Sequence, residues 1–258
     1  MKVTILGSGT AVPVPDRFPA GVLVVTEGER DQVVAVDLGP GVLRRIAQAG
    51  YGADRVDAVL FTHYHTDHTA DLAALLFALR NPALAQRPTL RLIGHAGLAE
   101  LLDHLTAAWP WLRPRGYSLE VEEIGPGGFT LDTLRVDAVP IRHTAQSLAY
   151  RLTDARGASV AISGDADVCE GLADVARGVD LFICEAAFPD GNYTEGHLTP
   201  SLAGAAASEA GATRLCLTHF YPECSGHDLL AQAAQTFDGD VVLAEDLLTF
   251  DLGTSTRG

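Results

Sequence analysis

The feature that most constrains this chain is a group of metal-ligand side chains directly after an apolar run. Residues 56–61 predict a buried strand, and the chain continues Thr-His-Tyr-His-Thr-Asp-His. His63 and His65 are two apart in extended geometry, so they leave the strand end on the same side and can share one ion. Asp67 and His68 fall where a helical pattern begins, so they point elsewhere and can hold a second ion. Imidazole and carboxylate suit zinc, with manganese or iron as the commoner substitutes.

Three more ligand-type side chains follow apolar runs that predict strands. They are His143, Asp165 in a Ser-Gly-Asp turn, and His219. Ligands at strand ends converge on one rim of a sheet, so we expect these three to join the first four. Together they are about what two zinc ions need when they share a bridging carboxylate and a water. The alternative, a histidine-rich loop without metal, is disfavoured because so many ligand-type side chains are costly to keep as ordinary surface.

The order His-x-His-x-Asp-His, His, Gly-Asp and Thr-His runs over nearly the whole chain and resembles the metallo-β-lactamase fold superfamily. The resemblance implies an α/β fold, an αββα sandwich of two mixed sheets flanked by helices. It also implies how the ligands divide between two zinc ions: His63, His65 and His143 at the first, Asp67, His68 and His219 at the second, and Asp165 bridging both. An aspartate at 165 disfavours a β-lactam substrate, because zinc β-lactamases with two ions typically have cysteine or serine near this place.

Shorter motifs resemble the ribonuclease Z-like branch of that superfamily: Ile-Cys-Glu-Ala-Ala-Phe, Gly-His-Leu-Thr, Leu-Thr-His-Phe and the opening Leu-Gly-Ser-Gly-Thr-Ala-Val-Pro. The branch places a glutamate and a histidine beside the metals, and the matching residues here are Glu185 and His197. A histidine held by a carboxylate is a suitable general acid, so we assign leaving-group protonation to His197 and its orientation to Glu185. Asp67 is a further candidate for orienting the hydroxide. The alternative is that His197 and Glu185 are ordinary solvated surface.

Two divalent ions would lower the pKa of a bridging water and supply a hydroxide nucleophile. We therefore predict a dinuclear zinc-dependent hydrolase, foremost a phosphodiesterase acting on a small phosphodiester such as a cyclic nucleotide or a glycerophosphodiester. The alternatives are a ribonuclease Z-like RNA 3′ endonuclease, a lactone, carboxylic or sulfate ester hydrolase, and a non-catalytic metal-binding sensor.

Two features disfavour nucleic acid as the partner. Transfer-RNA processing members of that branch carry a long arm between the positions matching His143 and Asp165, which here are only 22 apart. The net charge is −15, from 33 acidic and 18 basic side chains, and Lys2 is the one lysine. Nucleic-acid binding depends on clustered Lys and Arg side chains that neutralise the phosphates.

The nearest approach to a basic patch is Trp-Pro-Trp-Leu-Arg-Pro-Arg at 109–115. Trp109 and Trp111 beside Arg113 and Arg115 could stack on a base or bind a phosphate. We favour instead an irregular loop that packs both tryptophans on the edge of the core.

Length and composition predict a single hydrolase domain over residues 1–258, with 47% hydrophobic residues. No apolar run of about 18 residues and no secretory signal occur, and the four cysteines lack CxxC spacing. We expect reduced thiols in a cytoplasmic protein that does not span a membrane. The sequence leaves the oligomeric state open and allows a homodimer.

The predicted elements are strand-rich first and alternating later. They are strands near 2–6, 21–26 and 32–36, a helix ending at Gly50, a helix from Ala70, a strand at 89–93, a helix at 98–108, a loop-rich stretch to Phe129, strands at 133–139, 147–152 and 158–162, and a helix at 200–210 before a closing alternation. His95, His104 and His227 are expected as polar surface, with His95 able to border the pocket. Asp37 resembles a family motif near the site, but turn chemistry accounts for it, and it stays outside the predicted ligand set.

Overall fold

The structure is a computed structural model that describes residues 1–28, 31–84 and 89–253. Its strands form two seven-stranded sheets. The first contains β1 Lys2–Gly7, β2 Gly21–Thr26, β3 Gln32–Val36, β4 Ala58–Leu60, β5 Thr89–Gly94, β6 Ser118–Glu123 and β14 Thr249–Asp251. The second contains β7 Gly127–Leu131, β8 Leu134–Pro140, β9 Leu148–Thr153, β10 Ser159–Ile162, β11 Leu181–Glu185, β12 Arg214–Thr218 and β13 Asp240–Leu243.

Both sheets are mixed, antiparallel at one side and parallel at the other. The first has the order β14-β1-β2-β3-β4-β5-β6 and becomes parallel from β3 onward. The second has the order β13-β12-β11-β10-β9-β8-β7 and is parallel from β10 to β13. Because β9 is antiparallel to both β8 and β10, β8 runs in the same direction as the parallel strands.

Helices cover the outer faces of the two sheets. Those beside the first sheet are α1 Val42–Gln48, α3 Asp71–Ala78 and α4 Leu98–Ala108, and the short α2 Thr66–Thr69 lies at the rim. Those beside the second are α5 Glu170–Val175, α6 Pro200–Ala210 and α7 Leu229–Ala233.

Alternation along the strands builds the core between these layers. In β3, Val34 and Val36 face the second sheet, whereas Val33 and Ala35 pack under the helices. The αββα prediction is therefore confirmed.

The sequence-predicted bounds of α4 and α6 match the structure, but two other predictions need correction. The strand predicted at 56–61 is shorter, Ala58–Leu60, although its flanking residues are also buried. The loop-rich stretch predicted up to Phe129 is wrong, because β6 lies within it and β7 begins there at Gly127. In β6, Leu119 and Val121 alternate with exposed or half-exposed polar residues, and its several glutamates hide that alternation.

Hydrogen bonds join the two sheets just below the rim where the parallel strands end. The buried Tyr150 hydroxyl of β9 donates to the Phe61 carbonyl at 2.9 Å. The Leu148 amide donates to the Thr62 carbonyl at 2.9 Å. These contacts hold the carboxyl ends of β4 and the second sheet together at one edge.

All four cysteines are free thiols, and Cys184 and Cys216 are buried in β11 and β12. None of the helices described is long and apolar enough to cross a membrane.

Candidate metal centre

The first cluster at the rim consists of three imidazoles and one carboxylate. His65 Nδ1 lies 3.0 Å from His63 Nε2 and 3.2 Å from His143 Nε2. Asp165 Oδ2 lies 3.7 Å from His63 Nε2 and 3.8 Å from His143 Nε2. The strand ends of β4, β8 and β10 therefore deliver four ligand-type atoms to one point.

The second cluster shares Asp165 with the first. Its other oxygen, Oδ1, lies 3.1 Å from His68 Nε2 and 3.2 Å from His219 Nε2. Asp67 Oδ2 lies 3.5 Å from His219 Nε2 and 3.9 Å from His68 Nε2. One carboxylate thus faces both clusters, one oxygen to each.

Orphaned polar atoms test whether these groups fit metal ions. His68 Nε2, His219 Nε2 and Asp165 Oδ1 are buried without a hydrogen-bond partner, which is costly unless something else binds them. A four-coordinate zinc ion holds its ligands at about 2.0–2.1 Å, which separates neighbouring ligand atoms by about 3.3 Å. The spacings in both clusters, 3.0–3.9 Å, match that geometry. The His and Asp clusters are therefore suited to binding divalent metal ions.

Hydrogen bonds to the far ring nitrogens leave the facing nitrogens free to coordinate. Nδ1 of His143 donates to the Gly196 carbonyl at 2.8 Å, and Nδ1 of His68 donates to Asp37 at 2.8 Å. The Thr62 hydroxyl donates to Asp37 at 2.8 Å, so it accepts from His63 Nδ1 at 3.1 Å. Such outer partners fix the tautomer and the ring orientation of metal-binding histidines.

Asp37 is the residue at this site whose role the sequence interpretation missed. It follows β3, is buried, and has a positive φ of 62°, in a left-handed region that Asp tolerates better than most side chains. Its carboxylate accepts from the Thr62 amide at 2.8 Å as well as from His68. Burial alone would lower the pKa of His68, but the carboxylates of Asp165 and Asp37 raise it well above its usual value. The Val-Asp-Leu-Gly motif was the available signal.

Two further donors, His63 and Asp67, are in a charge state that suits binding a cation. Burial first, then the neighbouring His68, lowers the pKa of His63 to about 2, so this imidazole is neutral at any working pH. Burial would raise the pKa of Asp67, but a hydrogen bond from His219 and the charge of His68 lower it to about 2. Neutral imidazole and ionised carboxylate are the forms that coordinate metals.

Gly164 permits the turn that carries Asp165. Its φ is 61°, in the region that favours glycine, and a Cβ there would lie 2.7 Å from Thr62 Cβ. A larger residue would push this turn away from the His63 strand end. His219 also has a positive φ, 60°, without being glycine, which places a strained backbone at the site.

His197 and Glu185 form a pair beside both clusters. His197 Nδ1 donates to Glu185 Oε1 at 3.0 Å, and Glu185 is fully buried. The His197 ring centroid lies 5.1 Å from that of His143 and 5.8 Å from that of His219. Burial would lower the pKa of His197, but the hydrogen bond and charge of Glu185 raise it above its usual value. Both residues are therefore more than solvated surface.

Aromatic rings that the sequence interpretation did not single out wall the His197 side of the rim. Phe188 and Tyr221 stack with centroids 4.8 Å apart and planes 15° apart. The Tyr221 ring meets the edges of His197 and His219 at 6.0 and 5.9 Å. Tyr221 also lines a groove of about 460 Å³ that extends toward Val14.

The tryptophan segment is not where the sequence placed it. Trp109 and Trp111 are 54% and 67% exposed, so the expectation that they pack on the core edge is wrong. Arg80 donates to the carbonyls of Trp111 and Arg113 at 2.7 and 2.9 Å and fixes this turn with its rings outward. The segment follows α4, an 11-residue helix about 16 Å long that begins soon after the carboxyl end of β5, so it lies at the end of that helix away from the rim.

The remaining histidines divide between rim and surface. His104 and His227 are exposed, as expected. His95 is half-buried, and its carbonyl accepts a hydrogen bond from the hydroxyl of Tyr64, the residue between His63 and His65. His95 therefore borders the centre through Tyr64.

Comparison with known proteins agrees with this geometry. Residues 33–220 match the family described as the beta-lactamase superfamily domain. Ribonuclease Z of Mycobacterium marinum is 32% identical over 276 residues, covering 96% of this chain and 97% of the relative.

Solved structures agree as well. The metallo-beta-lactamase fold protein YhfI from Bacillus subtilis superposes with a TM-score of 0.83 at 27% identity, covering 96% of this chain and 98% of the other. The short form of human tRNase Z superposes with a TM-score of 0.80 at 25% identity, covering 98% and 99%.

The chain belongs to the metallo-β-lactamase superfamily, whose members include hydrolases. Within it, the chain falls in the ribonuclease Z-like branch.

Proposed function

We propose that this protein is a dinuclear zinc-dependent phosphodiesterase that hydrolyses a small phosphodiester. The observation that carries the proposal is the shared carboxylate of Asp165, with Oδ2 facing His63 and His143 and Oδ1 facing His68 and His219. A single-ion site has no need of such a bridge. The seven ligands proposed are His63, His65, Asp67, His68, His143, Asp165 and His219, as the sequence predicts.

Different residues of the proposed site carry different parts of the reaction. A bound pair of divalent ions supplies an acidified water and neutralises charge on phosphoryl oxygens. His197 holds a proton on the side where the leaving oxygen departs, and Glu185 keeps Nε2 turned toward the rim by accepting from Nδ1. Asp67, at the edge of the second cluster, is placed to orient the attacking water.

Metal content tests this proposal directly. We expect close to two transition-metal ions per chain by elemental analysis after loading with zinc, with manganese or iron as substitutes. Asp165→Ala should lose metal and activity together, because both clusters lose a ligand. His104→Ala is a matched control, since this exposed histidine lies on the outer face of α4, and it should keep both ions. One ion per chain in excess zinc would overturn the dinuclear assignment.

A second candidate is a ribonuclease Z-like RNA 3′ endonuclease. The similarity to ribonuclease Z of Mycobacterium marinum favours it. The interval between His143 and Asp165 weighs against it, because β9, β10 and a short turn occupy that interval and leave no long arm. We place the activity in a single hydrolase domain over residues 1–258, in the cytoplasm, with a small molecule as substrate.

A further inference from the structure

Asp167 is a buried carboxylate for which the proposed reaction gives no role. It lies on the turn after β10, is 1% exposed, and stands two residues beyond Asp165. The Tyr193 hydroxyl lies 2.9 Å from both of its oxygens, and the Gly196 amide donates to Oδ2 at 3.1 Å. The Arg142 guanidinium adds an ion pair at 3.3 Å. So many donors on one carboxylate tie the segment 193–196 to the turn of Asp165.

The same segment holds a metal-cluster histidine. The Gly196 carbonyl accepts from His143 Nδ1 at 2.8 Å, so Gly196 contacts Asp167 through its amide and His143 through its carbonyl. Gly196 has a φ of 91°, in the left-handed region, and a Cβ there would lie 3.3 Å from His143 Nδ1. This close fit means that displacement of the segment would displace the imidazole of His143.

His197 follows directly and is fixed from two directions. Glu185 holds its ring at 3.0 Å, and Asp167 holds the backbone just before it through Gly196. The turn itself supports Glu185, because the Ala166 amide donates to Glu185 Oε1 at 2.6 Å. Residues 191–195 are exposed, so Asp167 is the buried side chain that restrains their path.

We propose that Asp167 is a positioning residue that anchors the segment 193–197 to the metal centre, and so sets the orientation of His143 and the place of His197. The proposal rests on the proposed function for its kinetic consequence, but not for its effect on metal binding. It predicts that Asp167→Asn changes both zinc affinity and turnover, and that these two effects can be measured separately.

The first test measures zinc affinity and needs no substrate. In a titration of the loaded protein with a chelator, Asp167→Asn should release the ion bound by His143 at about 10-fold lower chelator concentration. This is the low end of the effect of losing a group that hydrogen-bonds a metal ligand directly, because Asp167 acts on His143 through Gly196. Tyr193→Phe, which removes one donor from an exposed side chain, should shift the same step less. Unchanged zinc release from Asp167→Asn would overturn the anchoring of His143.

Asp154→Asn is the matched control. Asp154 is also a buried carboxylate that accepts from two backbone amides, those of Arg156 and Ala158, each at 2.9 Å. It lies in the β9–β10 turn at the opposite end of the sheet. Both variants should lose thermal stability, but only Asp167→Asn should change zinc release. Equal changes in both would reduce Asp167 to a general stability role.

The second test is a double-mutant cycle with His197→Ala on a diester with an alkyl leaving group. Asp167→Asn should lower kcat about tenfold or more in the native background, and by much less when His197 is absent, because it acts through that ring. Equal losses in both backgrounds would overturn the link to His197. If no diester is hydrolysed, the proposed function fails while the zinc titration still decides the anchoring.

Discussion

At the scale of single residues, the proposed reaction depends on a proton held at His197. His197→Ala should keep both metals, because the seven proposed ligands do not include His197, although its ring, with Glu185 and His219, forms a third group whose atoms lie close enough to hold an ion. Turnover of a diester with an alkyl leaving group should fall on the order of 10² to 10⁴, the usual contribution of a positioned general acid. The loss should shrink for p-nitrophenyl esters, whose leaving group needs little protonation. Steady-state kinetics on both substrates, with metal analysis, measures this.

The two substrates separate this role from others. Equal losses on both would indicate positioning or phosphate binding by His197 instead. Native rates on both would mean that the ring is ordinary surface.

The pH profile tests the pairing with Glu185. Because Glu185 raises the pKa of His197, the imidazolium persists to higher pH than in an isolated histidine. The protonated ring is the active form, so kcat on an alkyl diester should fall as pH rises through that raised pKa. Glu185→Gln removes the charge that raises it, so the falling limb should move to lower pH. If the falling limb of the pH profile does not move in Glu185→Gln, then Glu185 does not control the protonation of His197.

At the scale of secondary-structure elements, strand ends assemble the site, and β3 contributes through Asp37. Asp37→Ala removes the acceptor of His68 Nδ1 and of the Thr62 hydroxyl, which in turn faces His63. We expect zinc affinity to fall about 10–100-fold, as for other outer-shell partners of metal histidines. Competition with a chelator measures the change, and Asp154→Asn again serves as the control for losing a buried carboxylate. Unaltered zinc affinity would make Asp37 a turn residue only.

The local sequence pattern predicts which residues are metal ligands, but not which residues hydrogen-bond to those ligands or hold them in place. His63 and His65 can be recognised because two adjacent positions on one side of an extended chain follow directly from strand geometry. The role of Asp37 depends on β3 lying beside β4, a pairing between separate segments that no local pattern reports. Asp167 likewise acts on Gly196, 29 positions later, through a loop without periodicity. The predicted packing of Trp109 and Trp111 is wrong for the same reason, because Arg80, in a separate segment, fixes the orientation of this turn.

At the scale of the whole molecule, two sheets that each change from antiparallel to parallel place their strand ends on one edge. The αββα class could be predicted because the order of ligand motifs resembles a known family, and the fold confirms it. The edge strand β6 could not be recognised, because its exposed glutamates and half-buried Leu119 blur the period of two. The single domain over residues 1–258 stays a prediction.

The overall charge and the hairpin between His143 and Asp165 together predict a preference for small substrates. The loaded protein should hydrolyse bis(p-nitrophenyl) phosphate. It should cleave precursor transfer RNA at its 3′ side on the order of 10² less efficiently than ribonuclease Z of Mycobacterium marinum assayed beside it, because a net charge of −15 repels the phosphate backbone and no long arm occupies the interval between His143 and Asp165.

Salt dependence makes this comparison sharper. Proteins that neutralise phosphates bind more tightly as salt is lowered, whereas a protein whose net charge is strongly negative is repelled more strongly. Cleavage of the precursor should therefore stay poor between physiological and low salt, and hydrolysis of the small diester should change little. Efficient 3′ cleavage that rises as salt falls would establish RNA as the substrate and would replace the small-diester assignment.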